Sequence, residues 1–449
     1  MSGRFAGERV VVVGAGVAGI GAARALAAEG ARVAITDLRS EGELPGARAL
    51  RGVGVEVQVG GHDPSSLDDA SLVVVSPGVP PSAEVVGWAR ARELPVWGEL
   101  ELGARLATAP YAAVTGTNGK TTVTAMIEAC ARSAGMDAVA CGNIGRSFAE
   151  AARETHDLLV VEASSFQLEV QESFHPRVSV LLNVAPDHLD WHGSYDAYLR
   201  AKARIHERQG DGDVHVGNRD DPGAAQISGA ARCEVRWFRA DPPRVGEVGY
   251  EDGELVAMID GRHTLGRIAD DRPGFREDAA AAAAVSLALG VAPTAAAAAL
   301  ATFRVAAHRG EEVAVVEGVR FVDDSKATNV HAAIAAIRGV DDAVLIAGGR
   351  AKGVDLSPLR EHADHLRAVI AIGEAAPQLV EVFRGAVPTS VAASIEDAVR
   401  DAFAIASPDG TVLLAPACAS WDQFADYGER GDRFAAAARS LAGEVAARG

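Results

Sequence analysis

The amino-acid sequence predicts an α/β protein with three domains. A chain of 449 residues has room for two to four domains at roughly 100–200 residues each. In the first third, short apolar runs alternate with helical patterns, which indicates a parallel sheet covered by helices. The same alternation restarts after about residue 305, so the middle of the chain is predicted to form a domain of its own.

The composition excludes several classes of protein. Lys and Arg number 43 against 61 Asp and Glu, so the net charge is −18, the wrong sign for a general nucleic-acid or anionic-membrane binder. Apolar residues make up 48% of the chain, which is enough for buried cores. The scattered cysteines form no CxxC pair, which argues against a disulfide framework or a structural zinc site and fits a reducing cytoplasm. They are Cys130, Cys141, Cys233 and Cys418.

The first predicted domain, residues 1–98, is Rossmann-like. VVVVG at 10–14 is typical of a strand buried on both faces, and a helix is predicted over 18–30 with a glycine at its end. Further strands are predicted at 32–37 and 72–78. This succession of strand, helix and strand indicates a parallel sheet.

A glycine motif lies between the first strand and the first helix. Gly14, Gly16 and Gly19 let the backbone turn tightly and approach a phosphate at the helix N-terminus. Asp37 ends the next strand, where an acidic residue binds a ribose in dinucleotide sites. From these residues alone, NAD or FAD binding and a tight turn with no ligand both stay open.

The second predicted domain, residues 99–305, opens with a phosphate-binding loop. AAVTGTNGKTT at 112–122 runs from an apolar strand into a helical pattern. In that context backbone N–H groups hold phosphates, Lys120 contacts the β- and γ-phosphate oxygens and Thr121 coordinates Mg²⁺. The spacing departs from the GxxxxGK[ST] pattern, because Val114 stands where the first glycine is expected. The alternative is a Gly-rich turn whose lysine points to solvent.

Acidic and imidazole side chains follow two more predicted strands of this domain. Glu162 ends the apolar run DLLVVE, beside the phosphate loop, which suits a magnesium ligand. His188 lies in the polar segment 183–192 after the next strand, a metal or phosphoryl-transfer pattern that could equally be surface residues. On pattern alone, Lys202 is an ordinary lysine on a helix surface.

The remainder of the second domain predicts small strands and two helices. Residues 211–270 contain short runs such as VRWF and ELVAMID between Gly, Pro and Asp clusters, which suggests antiparallel strands. The uncharged stretch Ala279–Phe303 is rich in alanine, and Gly290 and Pro293 interrupt it. We expect two packed helices joined by a turn, not a membrane span.

The third predicted domain, residues 306–449, is again Rossmann-like. Strands are predicted at 319–324, 343–349, 368–373 and 411–417. Polar or glycine-flanked loops follow three of them, and the first could also be a simple helix N-cap region. These loops carry Asp323–Asn329, Gly348–Gly353 and Pro416–Phe424. Cys418, in the last loop, is predicted to be a small buried thiol, because no sequence feature ties it to a base.

Taken together, these motifs resemble the Mur ligase family, the ATP-dependent amide ligases of peptidoglycan precursor synthesis. The resemblance covers all three domains. Three of its strings, SSFQLE, DSKATN and CASWDQF, are typical of the D-glutamate-adding member. The segments that carry it are GTNGKT at 116–121, EASSFQLE at 162–169, NVAPDHLD at 183–190, HR at 308–309, DDSKATN at 323–329 and PACASWDQF at 416–424.

The resemblance implies a three-domain fold with a central P-loop ATPase domain and a ligand in each domain. The first domain would hold the UDP of the substrate and not NAD, and the implied UDP-sugar contacts are Val17, Ala18, Arg39, Ser76, Pro77, Gly78 and Asn143. The implied ATP contacts are Gly116, Thr117, Asn118, Gly119, Lys120, Thr121, Thr122, Arg309 and Asp324. The implied glutamate contacts are Lys326, Thr328, Lys352, Ser420, Trp421 and Tyr427.

The resemblance also implies the chemistry. ATP would phosphorylate the carboxylate of UDP-N-acetylmuramoyl-L-alanine, and the amine of D-glutamate would attack the acyl phosphate. Thr121 and Glu162 would hold one Mg²⁺, and His188 and a carbamylated Lys202 a second. The catalytic residues implied are Lys120, Glu162, His188, Lys202 and Lys326.

The sequence departs from the family pattern near adenine and at the rim of the amino-acid pocket. Arg272–Asp278 stands where an Asn-bearing segment is common, so no adenine contact is assigned. Gly310 stands where a large apolar residue is common, and Trp421 and Tyr427 where Leu and Phe are frequent.

Several alternatives remain. They are an oxidoreductase built on the glycine motif, a non-catalytic nucleotide binder, and a ligase that adds L-glutamate or acts on a folate-type substrate. We expect a cytoplasmic monomer with no nucleic-acid partner and no membrane span.

Overall fold

The structure is a computed structural model that describes residues 3–44 and 46–446. It forms two compact units. The first runs to Val184 and includes Asp196–Asp271 and Phe275–Phe303. The second consists of Ala185–Tyr195, Arg272–Gly274 and the chain from Arg304 onward. The outer limits of the first and third predicted domains, residues 1 and 449, lie outside the described residues, and the two predicted boundaries, near residues 98 and 305, stay predictions.

The first sheet belongs to the first unit and has five parallel strands among the described residues, in the order β3-β2-β1-β4-β5. The order reverses between β1 and β4, and ligands bind beyond the carboxyl ends of parallel strands at such a point. The strands are β1 (Arg9–Val13), β2 (Arg32–Asp37), β3 (Glu56–Val59), β4 (Leu72–Val75) and β5 (Val96–Gly98). The helices are α1 (Val17–Ala28), α2 (Ala47–Arg51), α3 (Glu84–Ala91) and α4 (Glu99–Leu106), with 3-10 turns at Glu41–Glu43 and Pro64–Leu67.

The second sheet also lies in the first unit. In the described chain it has nine strands in the order β14-β13-β12-β11-β10-β9-β6-β8-β7. They are β6 (Tyr111–Thr115), β7 (Ala138–Gly142), β8 (Leu158–Glu162), β9 (Val178–Leu181), β10 (Val214–Asn218), β11 (Glu234–Phe238), β12 (Glu247–Glu251), β13 (Glu254–Ala257) and β14 (His263–Gly266). The helices of the middle of the chain are α5 (Lys120–Ser133), α6 (Phe148–Ala151), α7 (Ser165–Glu169), α8 (Leu189–His192), α9 (Tyr195–Ala203), α10 (Pro222–Ser228), α11 (Pro273–Ala288) and α12 (Pro293–Thr302), with a 3-10 turn at Arg204–His206.

The prediction that the short strands of residues 211–270 are antiparallel is only partly correct. β13 and β14 do run antiparallel to their neighbours. VRWF, however, lies in β11, which is parallel to both β10 and β12. For β10 and β11 the physical reason is the connection, because α10 crosses over between them and a crossover joins parallel strands.

The alanine-rich stretch forms two helices, as predicted. α11 ends at Ala288 and α12 begins at Pro293, with Gly290 at φ +85° in the turn between them. Proline suits the first position of a helix, and glycine tolerates the positive φ. None of the helices in the described ranges combines the length and apolar character needed to cross a membrane.

The third sheet belongs to the second unit. Over the part of the chain that the structure describes, it has six strands in the order β15-β16-β20-β17-β18-β19, of which only β15 is antiparallel to its neighbour. The strands are β15 (Glu311–Val316), β16 (Val319–Asp323), β17 (Ala343–Gly348), β18 (Leu366–Ile372), β19 (Thr389–Val391) and β20 (Thr411–Leu414). The helices are α13 (Val330–Ile337), α14 (Ala376–Phe383), α15 (Ile395–Ala406) and α16 (Tyr427–Ala446), with a 3-10 segment at Ser357–His365.

A shared core joins the first two sheets. One buried apolar cluster includes Val12 of β1, Leu100 and Leu102 of α4, Phe148 of α6 and Leu159 of β8. Helix α4 follows directly on β5, so it connects the two sheets in sequence and packs in the cluster that both contribute to. This continuous core explains why the two sheets form a single unit.

Candidate functional site

The glycine motif forms a tight loop at the carboxyl end of β1. Gly14 has φ +91°, a conformation that favours glycine, and its carbonyl accepts a hydrogen bond from Ser76 Oγ at 2.8 Å. Ser76 follows β4, so this bond joins the two strands at the point where the strand order reverses. The glycine loop and Ser76 therefore lie at the edge of the first sheet where ligands of such folds bind.

Asp37 is held by its own chain. Its carboxylate accepts the backbone N–H of Ala15 at 2.7 Å and two side-chain N–H groups of Arg39 at 3.0 and 2.9 Å. Burial alone would raise the pKa of Asp37, but the hydrogen bonds from Arg39 and Ala15 outweigh it and lower the pKa to about 2. Asp37 thus orients Arg39 and the glycine loop.

The other predicted UDP-sugar residues lie around the same loop, with one exception. Val17, in the first turn of α1, is 70% exposed, and the next residue, Ala18, is half-buried. Pro77, between Ser76 and Gly78 in the chain, is also half-buried. The exception is Asn143, which follows β7 of the second sheet and donates a hydrogen bond to Glu162.

We expect that replacing Gly19 by alanine destabilises the protein and weakens UDP binding. A Cβ at Gly19 would overlap Gly14 O and Ser76 Oγ, and the backbone atom cannot move away cheaply. A loss of about 1–3 kcal/mol of unfolding free energy follows. Gly16→Ala is the matched control, because φ is −77° there and a Cβ would meet nothing within 4 Å. Urea unfolding and calorimetric UDP titration check this, and equal behaviour of the two variants would refute it.

The phosphate-binding loop lies between β6 and α5. Gly119 precedes the helix with φ +81°, and the side chain of Lys120 donates to the carbonyls of Gly116 at 2.8 Å and Thr117 at 2.9 Å. Asn118 N–H donates to Asn183 Oδ1 at 2.9 Å. Strand β6 has β8 and β9 on its two sides, so the loop is built between their carboxyl ends.

The departure from the usual spacing has a structural explanation. Val114, where the first glycine was expected, is a fully buried residue of β6 that pairs with Glu162 of β8. The loop therefore begins at Gly116, and Thr122 is buried in the first turn of α5. Thr117 Oγ1 lies 2.8 Å from the hydroxyl of Tyr198, which ties the loop to α9.

The carboxylate of Glu162 contacts two other predicted site residues, Thr121 and Asn143. It is 2% exposed, its Oε2 accepts a hydrogen bond from Thr121 Oγ1 at 2.9 Å, and its Oε1 accepts one from Asn143 Nδ2 at 2.8 Å. Hydroxyl and carboxylate oxygens are ligands that Mg²⁺ prefers, with water and phosphate oxygens completing the octahedron. The described residues contain no cluster of three or more His, Cys, Asp or Glu that could hold a metal. Thr121 and Glu162 therefore fit a magnesium ion whose other ligands would come from a bound nucleotide and from water.

Lys202 is not the surface lysine that its pattern suggests. It lies in α9 but is only 2% exposed, because α9 packs it over the ring of Tyr198, with Nζ 4.8 Å from the ring centroid. Nζ also donates to the carbonyl of Gly116 at 2.6 Å. As an ammonium, this side chain cannot be a metal ligand.

In the second unit, a buried ion pair brings together two motif segments. Lys352, which follows β17, donates to Asp187 Oδ1 at 3.0 Å, and Asn329 donates to Asp187 Oδ2 at 3.3 Å. His188, the next residue, has φ 52° and donates its backbone N–H to Asp187 at 2.9 Å. Burial would raise the pKa of Asp187, but the charge of Lys352 and that of His188 outweigh it and lower the pKa. Of the four predicted metal ligands, His188 lies in the second unit and Thr121, Glu162 and Lys202 in the first.

The predicted nucleotide contacts of the second unit form a charged group. Burial raises the pKa of Asp324 to about 7, and the nearby Arg309 and Arg272 oppose this only in part. Arg272 also donates to the carbonyls of Arg309 at 3.1 Å and Gly310 at 2.7 Å. Gly310 is thus explained, because a Cβ there would overlap the Arg272 guanidinium.

We expect that Asp324→Asn makes stability less dependent on pH. The folded protein binds this proton up to a pH of about 7 and the unfolded chain only up to the ordinary pKa of an aspartate, about 3.9. The contribution of Asp324 to the free energy of unfolding therefore falls as the pH rises between these values. Each unit of pKa corresponds to about 1.4 kcal/mol. Urea unfolding at pH 5 and pH 8 checks this, with the 98% exposed Asp341→Asn as control. Parallel pH profiles of wild type and variant would refute it.

The residues predicted to bind glutamate lie in the loops after β16, β17 and β20, except Tyr427, which begins α16. Lys326 Nζ is 3.8 Å from the ring centroid of Tyr427, and Thr328 N–H donates to Lys326 O at 2.7 Å. Ser420 is buried and Trp421 is 63% exposed. Because β20 lies between β16 and β17, the three loops leave neighbouring strand ends.

Arg430 joins these loops, and no motif had indicated it. It is fully buried in α16 and donates to Ser325 Oγ at 3.0 Å, Ser325 O at 2.8 Å, Cys418 O at 3.2 Å and Gly348 O at 3.4 Å. Burial lowers its pKa to about 10, so it stays charged at neutral pH. Cys418 itself is fully buried, as predicted, and burial raises its pKa to about 12.

Comparisons with known proteins show which family the sequence belongs to. Models of the Mur ligase MurD-like N-terminal domain, the Mur ligase middle domain and the Mur ligase glutamate ligase domain match residues 8–98, 114–241 and 308–418. The UDP-N-acetylmuramoylalanine–D-glutamate ligase of Frankia casuarinae is 46% identical over 98% of this chain and 95% of its own. The chain belongs to the Mur ligase family. The enzyme of the same name from Mycolicibacterium smegmatis is 40% identical over 97% of each chain.

Solved structures of Mur ligase type support the fold. A pseudomurein peptide ligase type C from Methanothermus fervidus superposes with a TM-score of 0.63 at 19% identity, over 96% of this chain and 99% of its own. MurF from Acinetobacter baumannii gives 0.59 at 19% identity, over 85% and 86%. The predicted three-domain α/β fold is confirmed, and membership of the Mur ligase family makes the protein an ATP-dependent amide ligase.

Proposed function

We propose that this Mur ligase joins D-glutamate to UDP-N-acetylmuramoyl-L-alanine through an acyl phosphate, in peptidoglycan precursor synthesis. The names of the relatives at 46% and 40% identity support the substrates. The observation that carries the chemistry is the phosphate loop, where Thr121 lies 2.9 Å from the buried Glu162 and Lys120 stands at the helix N-terminus. This arrangement suits the transfer of a phosphoryl group from ATP.

The reaction needs activation because a carboxylate is a poor electrophile. The carboxylate oxygen of the alanyl group attacks the γ-phosphorus of ATP, and ADP leaves. The amine of D-glutamate then attacks the acyl carbon, loses a proton and expels inorganic phosphate, so the products are the amide, ADP and phosphate. Lys120 and the loop N–H groups hold the phosphates, while Arg309 adds positive charge.

Magnesium would supply charge neutralisation and alignment of phosphate oxygens. Thr121 and Glu162 are the residues proposed to hold one ion. A second ion is proposed at His188 and Lys202, and there the lysine fits only as a carbamate, because an ammonium has no lone pair to give. Asn143 is proposed to orient Glu162 as well as to contact the UDP-sugar, since it donates to that carboxylate at 2.8 Å.

The glutamate is proposed to bind in the loops of the second unit. Lys352 supplies a cation for a carboxylate, and Asp187, at 3.0 Å, fixes its position. Lys326, Thr328, Ser420, Trp421 and Tyr427 complete the proposed set. An L-glutamate acceptor is the second candidate, because the chemistry of these groups is the same for both isomers. The oxidoreductase alternative is not favoured, since Asp37 already binds Arg39 and the Ala15 N–H.

The test is phosphate release with Mg·ATP and UDP-N-acetylmuramoyl-L-alanine, with D-glutamate or L-glutamate added in parallel. We expect release that depends on both substrates and on the D isomer only. Release with the L isomer alone would overturn the acceptor. No release with either isomer, beside a working control enzyme, would overturn the proposed function.

A further inference from the structure

The helix that follows the first sheet carries two fully buried carboxyl groups. Glu99 and Glu101 both lie in α4 and both are 0% exposed. Buried carboxyl groups are rare unless they accept hydrogen bonds. The two residues point to different partners, so their contacts can be compared directly.

Glu99 binds the segment that carries Asn143. Its Oε1 accepts a hydrogen bond from Ser147 Oγ at 2.6 Å and one from the backbone N–H of Ala149 at 2.8 Å. Ser147 in turn caps α6 by accepting the N–H of Glu150 at 3.3 Å. Burial raises the pKa of Glu99, and the hydrogen bonds from Ala149 and Ser147 lower it only in part.

The same segment is tied at its other end to the proposed magnesium ligand. Gly142 N–H donates to Arg146 O at 2.8 Å, which closes the loop just before Ser147. Asn143 donates its backbone N–H to Glu162 O at 2.9 Å and its side-chain amide to Glu162 Oε1 at 2.8 Å. A hydrogen-bonded path thus leads from α4 through residues 142–149 to Glu162.

The segment also contacts the helix of the glycine motif. A Cβ at Gly21 of α1 would overlap Ser147 Cβ, so α1 and Ser147 are in direct backbone-to-side-chain contact. Residues 142–149 are therefore held between α1 and α4, both of which follow strands of the first sheet.

We infer that Glu99 is a positioning residue for the sugar end of the substrate: it holds residues 142–149 so that Asn143 meets both Glu162 and the UDP-sugar. The inference rests on the proposed function, in which Asn143 contacts that substrate. Glu99 is fully buried and accepts hydrogen bonds from Ser147 and Ala149, so it acts through these two residues.

Glu101 provides the matched control. It accepts the N–H groups of Glu172 and Ser173 at 2.8 Å each, the Ser173 hydroxyl at 2.7 Å and Arg105 Nε at 2.6 Å. Glu172 and Ser173 follow α7 and Arg105 belongs to α4, and none of the three is a proposed site residue. Glu101→Ala thus removes an equally buried carboxyl from the same helix and leaves residues 142–149 in place.

The first experiment is kinetic. We expect Glu99→Ala to raise the KM for UDP-N-acetylmuramoyl-L-alanine about tenfold, because a lost buried acceptor frees its donors. The KM for ATP should rise by a smaller factor, since Thr121 still donates to Glu162 when Asn143 is displaced. Glu99→Gln keeps an oxygen for Ser147 and Ala149 and should stay close to wild type. Glu101→Ala should lower thermal stability and leave both KM values unchanged. Equal kinetic effects of the two alanine variants, or none in Glu99→Ala, would overturn the inference.

The second experiment does not depend on activity. Hydrogen–deuterium exchange at the Ala149 amide should accelerate in Glu99→Ala and not in Glu101→Ala, and the Glu172 and Ser173 amides should show the reverse. Unchanged exchange at Ala149 would overturn the positioning role, whatever the kinetics. A wild-type protein that releases no phosphate would instead contradict the proposed function, so the two failures are distinguishable.

Discussion

Replacing Lys120 by alanine is expected to lower ATP-dependent phosphate release by roughly 10²–10³-fold or more, as loss of one preorganised donor to a transition state does. Lys120 opens α5, and its ammonium is held at 2.8 and 2.9 Å by the carbonyls of Gly116 and Thr117. These contacts place the charge over the phosphate loop. Alanine removes both the charge and the two bonds that shape the loop.

The expected loss is in turnover and not in folding. Lys120 is half-buried and its carbonyl partners face the loop, so the strand and helix on either side keep their packing. Arg132→Ala is the matched control, since Arg132 is a cation of the same helix that pairs with Glu128 at 2.8 Å. Single-turnover phosphate release, thermal unfolding and UDP titration separate the effects. Normal turnover in Lys120→Ala would contradict the assignment of the loop.

The parts of the site that the sequence predicted are those in which local sequence determines the geometry. A strand, a glycine-rich loop and a helix N-terminus are adjacent in the chain, so Gly116–Thr122 could be located without any tertiary information. The position of Glu162 beside the loop was also predictable, because the carboxyl ends of parallel strands share one edge and β8 pairs directly with β6.

The features that no local pattern predicts depend on contacts between distant segments. Lys202 has the spacing of a surface residue, and only the packing of α9 against the phosphate loop buries it. Arg430 is 82 residues from Gly348 and 105 from Ser325, and no pattern connects them. Asp187 was in a recognised segment, but its ion pair with Lys352 spans 165 residues.

One signal in the sequence indicates these residues more strongly than the motifs do. The chain contains only four lysines against 39 arginines, and the four are Lys120, Lys202, Lys326 and Lys352. All four were predicted site residues, and none is classed as exposed. Arginine supplies most of the surface cations of this protein, so its four lysines stand out as candidates for sites that use a compact amine.

This composition makes Lys202 directly testable. We expect Lys202 to add CO₂ at its amine, with loss of a proton, and to become a carbamate in the working enzyme. The reason is physical: a cation beside a proposed magnesium site opposes metal binding, whereas a carbamate supplies oxygen ligands of the right charge. Nζ lies 2.6 Å from Gly116 O, so the modified side chain would remain at the phosphate loop.

Carbon-13 NMR of the protein in ¹³C-bicarbonate should show one slowly exchanging carbamate signal. Lys202→Arg, which keeps the charge and cannot be carbamylated, should lose the signal and lower turnover by roughly 10²-fold or more, as loss of a preorganised catalytic group does. Lys326→Arg and Lys352→Arg should keep the signal, because neither changes the amine in α9. With only four ε-amines in the chain, the assignment is unambiguous. A signal that survives in Lys202→Arg, or an active Lys202→Arg enzyme, would mean that the buried lysine acts as an ammonium bound to Gly116 O and that the second magnesium site must be built from other groups.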